Sequence, residues 1–155
     1  MKTNSNQDNH FVHSKINSDL EADALSKKAQ HLISSLKKDF LKEADFALKK
    51  MQKTLDDTAY LSQTEKDRVL KTIFFQTVHD LKGQGSTYGY PLVTKIATHD
   101  CSIIQSSKTF KQETIDDFKL DISDMQKLLK EENLPLNSPL AQRIIKRLET
   151  YHDNS

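Results

Sequence analysis

All three glycines of the chain, Gly83, Gly85 and Gly89, fall between positions 83 and 89, and Pro91 follows at once. The other two prolines, Pro135 and Pro139, lie close together near the C-terminal end. So few breakers in 155 residues suit a handful of long helices. They exclude a fold of many short strands, whose turns need glycine and proline. One glycine would serve a single interhelical turn, so a helical protein that gathers all its glycine in one place needs that place for something more.

The length is that of one domain. Basic and acidic residues nearly balance, 23 against 22, which argues against a nucleic-acid partner, since such a partner calls for a clear basic excess. A single cysteine leaves no disulfide framework. No apolar run approaches the roughly 18 residues of a membrane span, and the first 18 residues have no apolar signal core. The expectation is a cytoplasmic protein with no membrane partner.

Residues 1–18 are polar and show no periodicity, so they are expected to form a disordered tail ahead of a helical domain over 19–155. From Leu25 the apolar positions run Ala29, Leu32, Leu36, Phe40, Ala44, Leu48, Met51 and Leu55. Steps of three and four make this one stripe of a helix, long enough to be expected to bend or break. A second helix is expected from Thr64, with Asp67 as a weak capping partner and Leu70, Ile73, Phe74, Val78 and Leu81 as its buried side. A third begins at Pro91 and buries Leu92, Val93, Ile96, Ala97, Ile103 and Ile104. A fourth carries Ile115, Phe118, Ile122, Met125 and Leu129, and is stopped by Asn133 and Pro135. A fifth opens with Ser138 and Pro139 and buries Leu140, Ile144, Leu148 and Tyr151. Short links between helices with one apolar face each predict an all-α fold, an antiparallel four-helix bundle with an additional helix.

The segment Val78-His79-Asp80-Leu81-Lys82-Gly83-Gln84-Gly85-Ser86-Thr87-Tyr88-Gly89-Tyr90-Pro91 carries the chemistry. On a helix that buries Val78 and Leu81, His79 falls on another face, with Thr72, Phe75, Gln76, Lys82 and Gly83. That face is mostly polar, so the imidazole is expected to meet solvent or a partner. Helical side chains lean toward the N-terminus, so the residue four positions on sits over the earlier one. At that position stands Gly83, with no side chain, and one residue earlier Lys82 brings an ammonium to the same region. An open imidazole, a cleared approach and a nearby cation suit a phosphoryl carrier. Phosphate near a helix C-terminus opposes the macrodipole, and the lysine offsets this.

His79-Asp80-Leu81-Lys82-Gly83, with Gly89 further on, resembles the His-x-Leu/Ile-Lys-Gly signature of histidine-containing phosphotransfer domains. The run Gly85-Ser86-Thr87-Tyr88-Gly89-Tyr90 looks like the phosphotransfer domain of chemotaxis histidine kinases, and like stand-alone bacterial phosphotransfer proteins. The motif covers about fifteen residues, and the helical layout corresponds over roughly residues 20–152. The resemblance implies that His79 accepts the phosphoryl group, at Nε2 by family analogy, that Lys82 stabilises it and that Gly83 keeps the approach open. It implies a response-regulator receiver domain as partner, a histidine kinase or hybrid kinase upstream, and no cofactor of the chain's own, the Mg²⁺ coming from the receiver. Phe75, Gln76, Gln84 and Ser86 are the expected partner-docking residues, although Phe75 can equally be a half-buried packing residue.

The chain also departs from the family pattern. A glutamate on the following helix commonly bonds the other imidazole nitrogen, and the equivalent spacing here reaches Cys101, with Asp100 beside it. No glycine remains for a nucleotide-binding lid, so autonomous kinase activity is not expected. His99, Asp100 and Cys101 are consecutive and point in different directions on a helix, so they do not converge on a metal. Tyr88 and Tyr90 are expected to pack the corner between two helices. The rival class is a helical interaction module that docks on a receiver or kinase and regulates it without carrying phosphate.

Overall fold

The structure, a computed structural model, describes residues 5–153, with side chains from 12 to 151. The described residues are mostly helical and contain no strand. The helices are α1 (Ser5–Asp57), α2 (Gln63–Val69), α3 (Phe75–Gln84), α4 (Pro91–Ser106), α5 (Gln112–Leu129) and α6 (Pro139–Asp153). Among the described residues no helix is long and apolar enough to cross a membrane.

Two compact units divide the chain, Met1–Asp39 and Phe40–Ser155. Helix α1 runs unbroken from Ser5 to Asp57, which corrects two expectations. The break or bend foreseen in a helix of this length does not occur as an interruption of α1. The segment read as a disordered tail is helical from Ser5 onward, and residues 1–4 of that tail lie outside the described residues. The polar residues there lack apolar periodicity but include no glycine or proline to stop a helix.

The second unit holds the core. Phe40, Ala44, Leu48, Met51 and Leu55 of α1 are buried with Leu70, Phe74, Val78 and Leu81, with Val93, Ile96 and Ala97 of α4, and with Ile115, Phe118, Ile122 and Met125 of α5. Phe118 stands between two other rings, 5.0 Å from Phe74 and 6.4 Å from Phe110, centroid to centroid. Helix α4 packs against α3, α5 and α6. Ser138 caps α6 as its position predicts, its hydroxyl accepting the Ala141 amide at 3.2 Å.

Two details of the second helical stretch differ from expectation. The capping box is Ser62 with Glu65, not Thr64 with Asp67: the Ser62 hydroxyl accepts the Glu65 amide and the Glu65 carboxylate accepts the Ser62 amide. Asp67 instead accepts the Phe110 amide at 2.9 Å, tying α2 to the turn before α5. Between α2 and α3 the chain makes a turn of π-helix, Leu70–Phe74. A π turn takes up one extra residue, so the buried row runs Leu70, Phe74, Val78 and Leu81. Ile73, expected inside, is 54% exposed.

Asp100, Asp121 and Asp124 are buried where α4, α5 and α6 meet. Arg147 of α6 donates to Asp121 and, at 2.7 Å, to Asp124, which also accepts from Arg143 at 2.8 Å. As a carboxylate Asp100 finds no donor among the described residues, while in its protonated form it can donate to the neighbouring Asp121 carboxylate. Burial foremost, then the Asp121 carboxylate, raises its pKa well above the ordinary 3.8. The folded chain therefore keeps a proton that the unfolded chain releases. Stability falls as pH rises from about the ordinary aspartate value toward the raised folded value, and levels off beyond it. Asp100→Asn, which is neutral throughout, is expected to match the wild type below pH 4 and to exceed it increasingly toward neutrality, measured as urea midpoints across pH.

Candidate functional site

Helix α3 and the turn that follows it build the site. Val78 and Leu81 are buried, as the periodicity predicts, and this fixes His79 and Lys82 on the outside. His79 is exposed and its imidazole nitrogens make no hydrogen bond among the described residues. Its ring lies 5.9 Å from that of Phe75, one turn earlier, at a tilt of 39°. Phe75 is half-buried and packs against the core, the second of the two places expected for it.

The three glycines differ in what a side chain would meet. A Cβ on Gly83 would meet nothing within 4 Å, so nothing in the fold requires a glycine there. A Cβ on Gly85 would lie 2.5 Å from the Thr94 hydroxyl and 2.9 Å from its amide nitrogen, so the close approach of α3 to α4 excludes a side chain. Gly89 has φ 92°, in the left-handed region that ends the turn.

Thr94 fastens this turn. Its hydroxyl donates to the Lys82 carbonyl at 3.3 Å and accepts the Ser86 amide at 2.7 Å. The Tyr90 amide reaches the Gly85 carbonyl at 2.8 Å. Tyr88 stacks on Phe40 of α1 at 4.8 Å, and Tyr90 is buried beside the same ring. Both tyrosines pack the corner, as the sequence suggests. Thr94 carries no motif signal, and its role depends on where α4 crosses α3.

Gln76, Gln84 and Ser86, the other expected docking residues, are each exposed. Gln76 donates to Asp80 at 3.1 Å along α3. Gln84 is exposed and lines a groove between α1 and α3 with Phe46, Ala47, Lys50, Thr77 and Asp80. Ser86 is exposed at the first turn beyond α3. Phe46, 72% exposed, is an apolar residue of this groove that sequence reading misses, because it lies off the buried stripe of α1.

Asp100 of α4 is buried and lies within the influence of Asp121 and Arg147. Cys101 is buried, and burial pushes its thiol up while the Lys82 ammonium acts in the opposite sense. Among the described residues, no three His, Cys, Asp or Glu side chains gather as a metal site.

Gly83→Ala separates fold from function. Alanine in a helix is favoured over glycine by about 0.5–1 kcal/mol, and the space is open. The variant is expected to melt higher than wild type, and Gly83→Leu to fold as well. Any reaction at His79 should slow in the order Gly, Ala, Leu. A thermal melt and a transfer rate measured on the same samples check both halves.

Compared with models of protein families, with curated proteins and with solved structures, the chain matches none.

Proposed function

We propose that this chain is a histidine phosphotransfer protein of a phosphorelay, accepting a phosphoryl group on His79 from a receiver-domain aspartate and returning it to another. The architecture we assign is an antiparallel four-helix bundle formed by the α1 residues from Phe40 on, α3, α4 and α5, with α6 as the additional helix. The single observation that supports the reading best is that His79 is exposed on α3, with the exposed Lys82 three residues on and Gly83, where a Cβ would meet nothing within 4 Å, four residues on.

In the proposed step the Nε2 lone pair of neutral His79 attacks the phosphorus of an aspartyl phosphate. The P–N bond forms as the P–O bond to the aspartate breaks, and the carboxylate leaves with that electron pair. Such transfer needs alignment and charge neutralisation more than covalent help from the protein. Lys82 supplies one positive charge, Gly83 leaves the line of approach open, and the receiver with its Mg²⁺ supplies the remainder. With no carboxylate on α4 bonding the imidazole, His79 is suited to an activated phosphoryl donor such as a phospho-aspartate, and ill suited to direct attack on ATP. Phe75, Gln76, Gln84 and Ser86 form the docking surface, and the exposed Phe46 extends it.

The test is transfer of labelled phosphate from phosphorylated receiver domains to the purified chain. Label that is acid-labile and alkali-stable on this chain is the expected result. If every receiver of the source organism retains its label, the reading is overturned, and a chain that binds a receiver without taking label is the interaction module.

A further inference from the structure

The first unit, Met1–Asp39, consists of α1 residues alone among its described part, and residues 12–36 are all exposed. Within it Leu25, Leu32, Ile33 and Leu36 are exposed by 66, 59, 61 and 44%. With Ala29 they fall within a third of the helix circumference, at the spacing of a helix seam. A solvated helical segment of this composition is marginal by propensity alone, and such segments are held by packing of an apolar face. Val12, Ile16 and Leu20 are exposed as well, but their steps of four place them on another side of the helix.

The charges of the same segment are sorted along its length. Between positions 16 and 26 the ionised groups are Asp19, Glu21 and Asp23, with no base. Between 24 and 38 they are Lys27, Lys28, Lys37 and Lys38, and the next acid is Asp39, the last residue of the unit. Two copies side by side in parallel would set acid against acid and lysine against lysine. Turned end for end, the acidic stretch of each copy meets the basic stretch of the other.

We infer that residues 19–39 pair with the same residues of a second copy as an antiparallel two-helix seam. The register that satisfies both charge and size puts Leu25 against Leu36 of the second copy and Ala29 against its Leu32. Each small residue then faces a large one, whereas the parallel arrangement sets Ala29 on Ala29 and leaves a void. The same register sets Asp23 against Lys38 of the second copy, twice by symmetry. Asp23 is now held by Lys27 one turn on, at 3.2 Å, an exposed pair free to rearrange at little cost. The occupant is a second copy because the stripe complements itself. A basic face without the acidic stretch would point to an anionic surface instead.

The full-length chain is expected to sediment as a dimer at tens of micromolar. Leu32→Glu is expected to sediment as a monomer with unchanged thermal melting of the second unit, followed by near-ultraviolet dichroism. Asp23→Lys should weaken the dimer by roughly tenfold, and Asp23→Lys with Lys38→Asp should recover it, since the exchanged charges face each other again. In a Cys101→Ser background, mixing Leu25→Cys chains with Leu36→Cys chains should give disulfides between unlike copies. Wild-type monomer at every concentration, disulfides only between like copies, or binding of the monomer to anionic vesicles that Leu32→Glu abolishes, would each overturn the inference.

Discussion

His79→Gln is expected to take no label from a phosphorylated receiver under conditions where the wild type is labelled within the mixing time. Glutamine is close to histidine in size and polarity, and His79 is exposed with no hydrogen bond among the described residues, so stability should change by no more than about 0.5 kcal/mol. Its amide nitrogen has no available lone pair to form the P–N bond, because that pair is delocalised into the carbonyl. The loss is therefore of chemistry and not of fold, and a matched thermal melt verifies the distinction. Lys82→Ala should leave the histidine able to react but remove a charge-assisted contact of about 1.5–3 kcal/mol. That corresponds to a transfer rate roughly 10–150-fold slower. A His79→Gln chain that is labelled as fast as wild type would place the acceptor elsewhere and end the phosphotransfer reading.

Arg147→Met carries the largest expected effect on stability. The Asp121 and Asp124 side chains are 1 and 3% exposed, and Arg147 bonds both. Removing its guanidinium leaves Asp121 buried without its cation, while Asp124 keeps Arg143. Breaking a buried pair from one side costs about 3–5 kcal/mol, and the partial exposure of Arg147 places this case at the lower end. For a chain of this length about 3 kcal/mol corresponds to a fall in Tm of roughly 6–12 °C. Adding Asp121→Asn to Arg147→Met removes the orphaned charge and should recover a good part of the loss. The surface around His79 is built from α3 and the turn fastened by Thr94, so the destabilised chain should still transfer phosphate at its wild-type rate while folded. Unchanged melting in Arg147→Met would mean that the cluster contributes nothing net to the fold.

The sequence legibly placed what depends on neighbours within a turn or two. His79 shares a helix with Val78 and Leu81, and burial of those two dictates that the imidazole faces out. Gly83 and Lys82 follow at fixed angles along the same helix, and Pro91 and Ser138 mark helix starts through local backbone chemistry. Where two elements meet, the pattern failed. Ile73 fits the apolar row of an ideal helix, yet the π turn at Leu70–Phe74 rotates it outward. Asp67 looks like a cap, but it serves Phe110, 43 residues away. The groove beside Phe46 exists only because α1 and α3 pass each other there.

By itself, then, the order of residues determined that the chain is helical and that His79 stands on the outside of its helix, since 3.6-residue periodicity acts over distances the chain's own backbone spans. Only the tertiary structure decided that Gly85 must lack a side chain because Thr94 lies against it. It alone placed Asp100 in a buried cluster with Asp121 and Arg147. The reason is that contacts between helices are set by how whole apolar faces pack, and no local spacing records which residues that packing brings together.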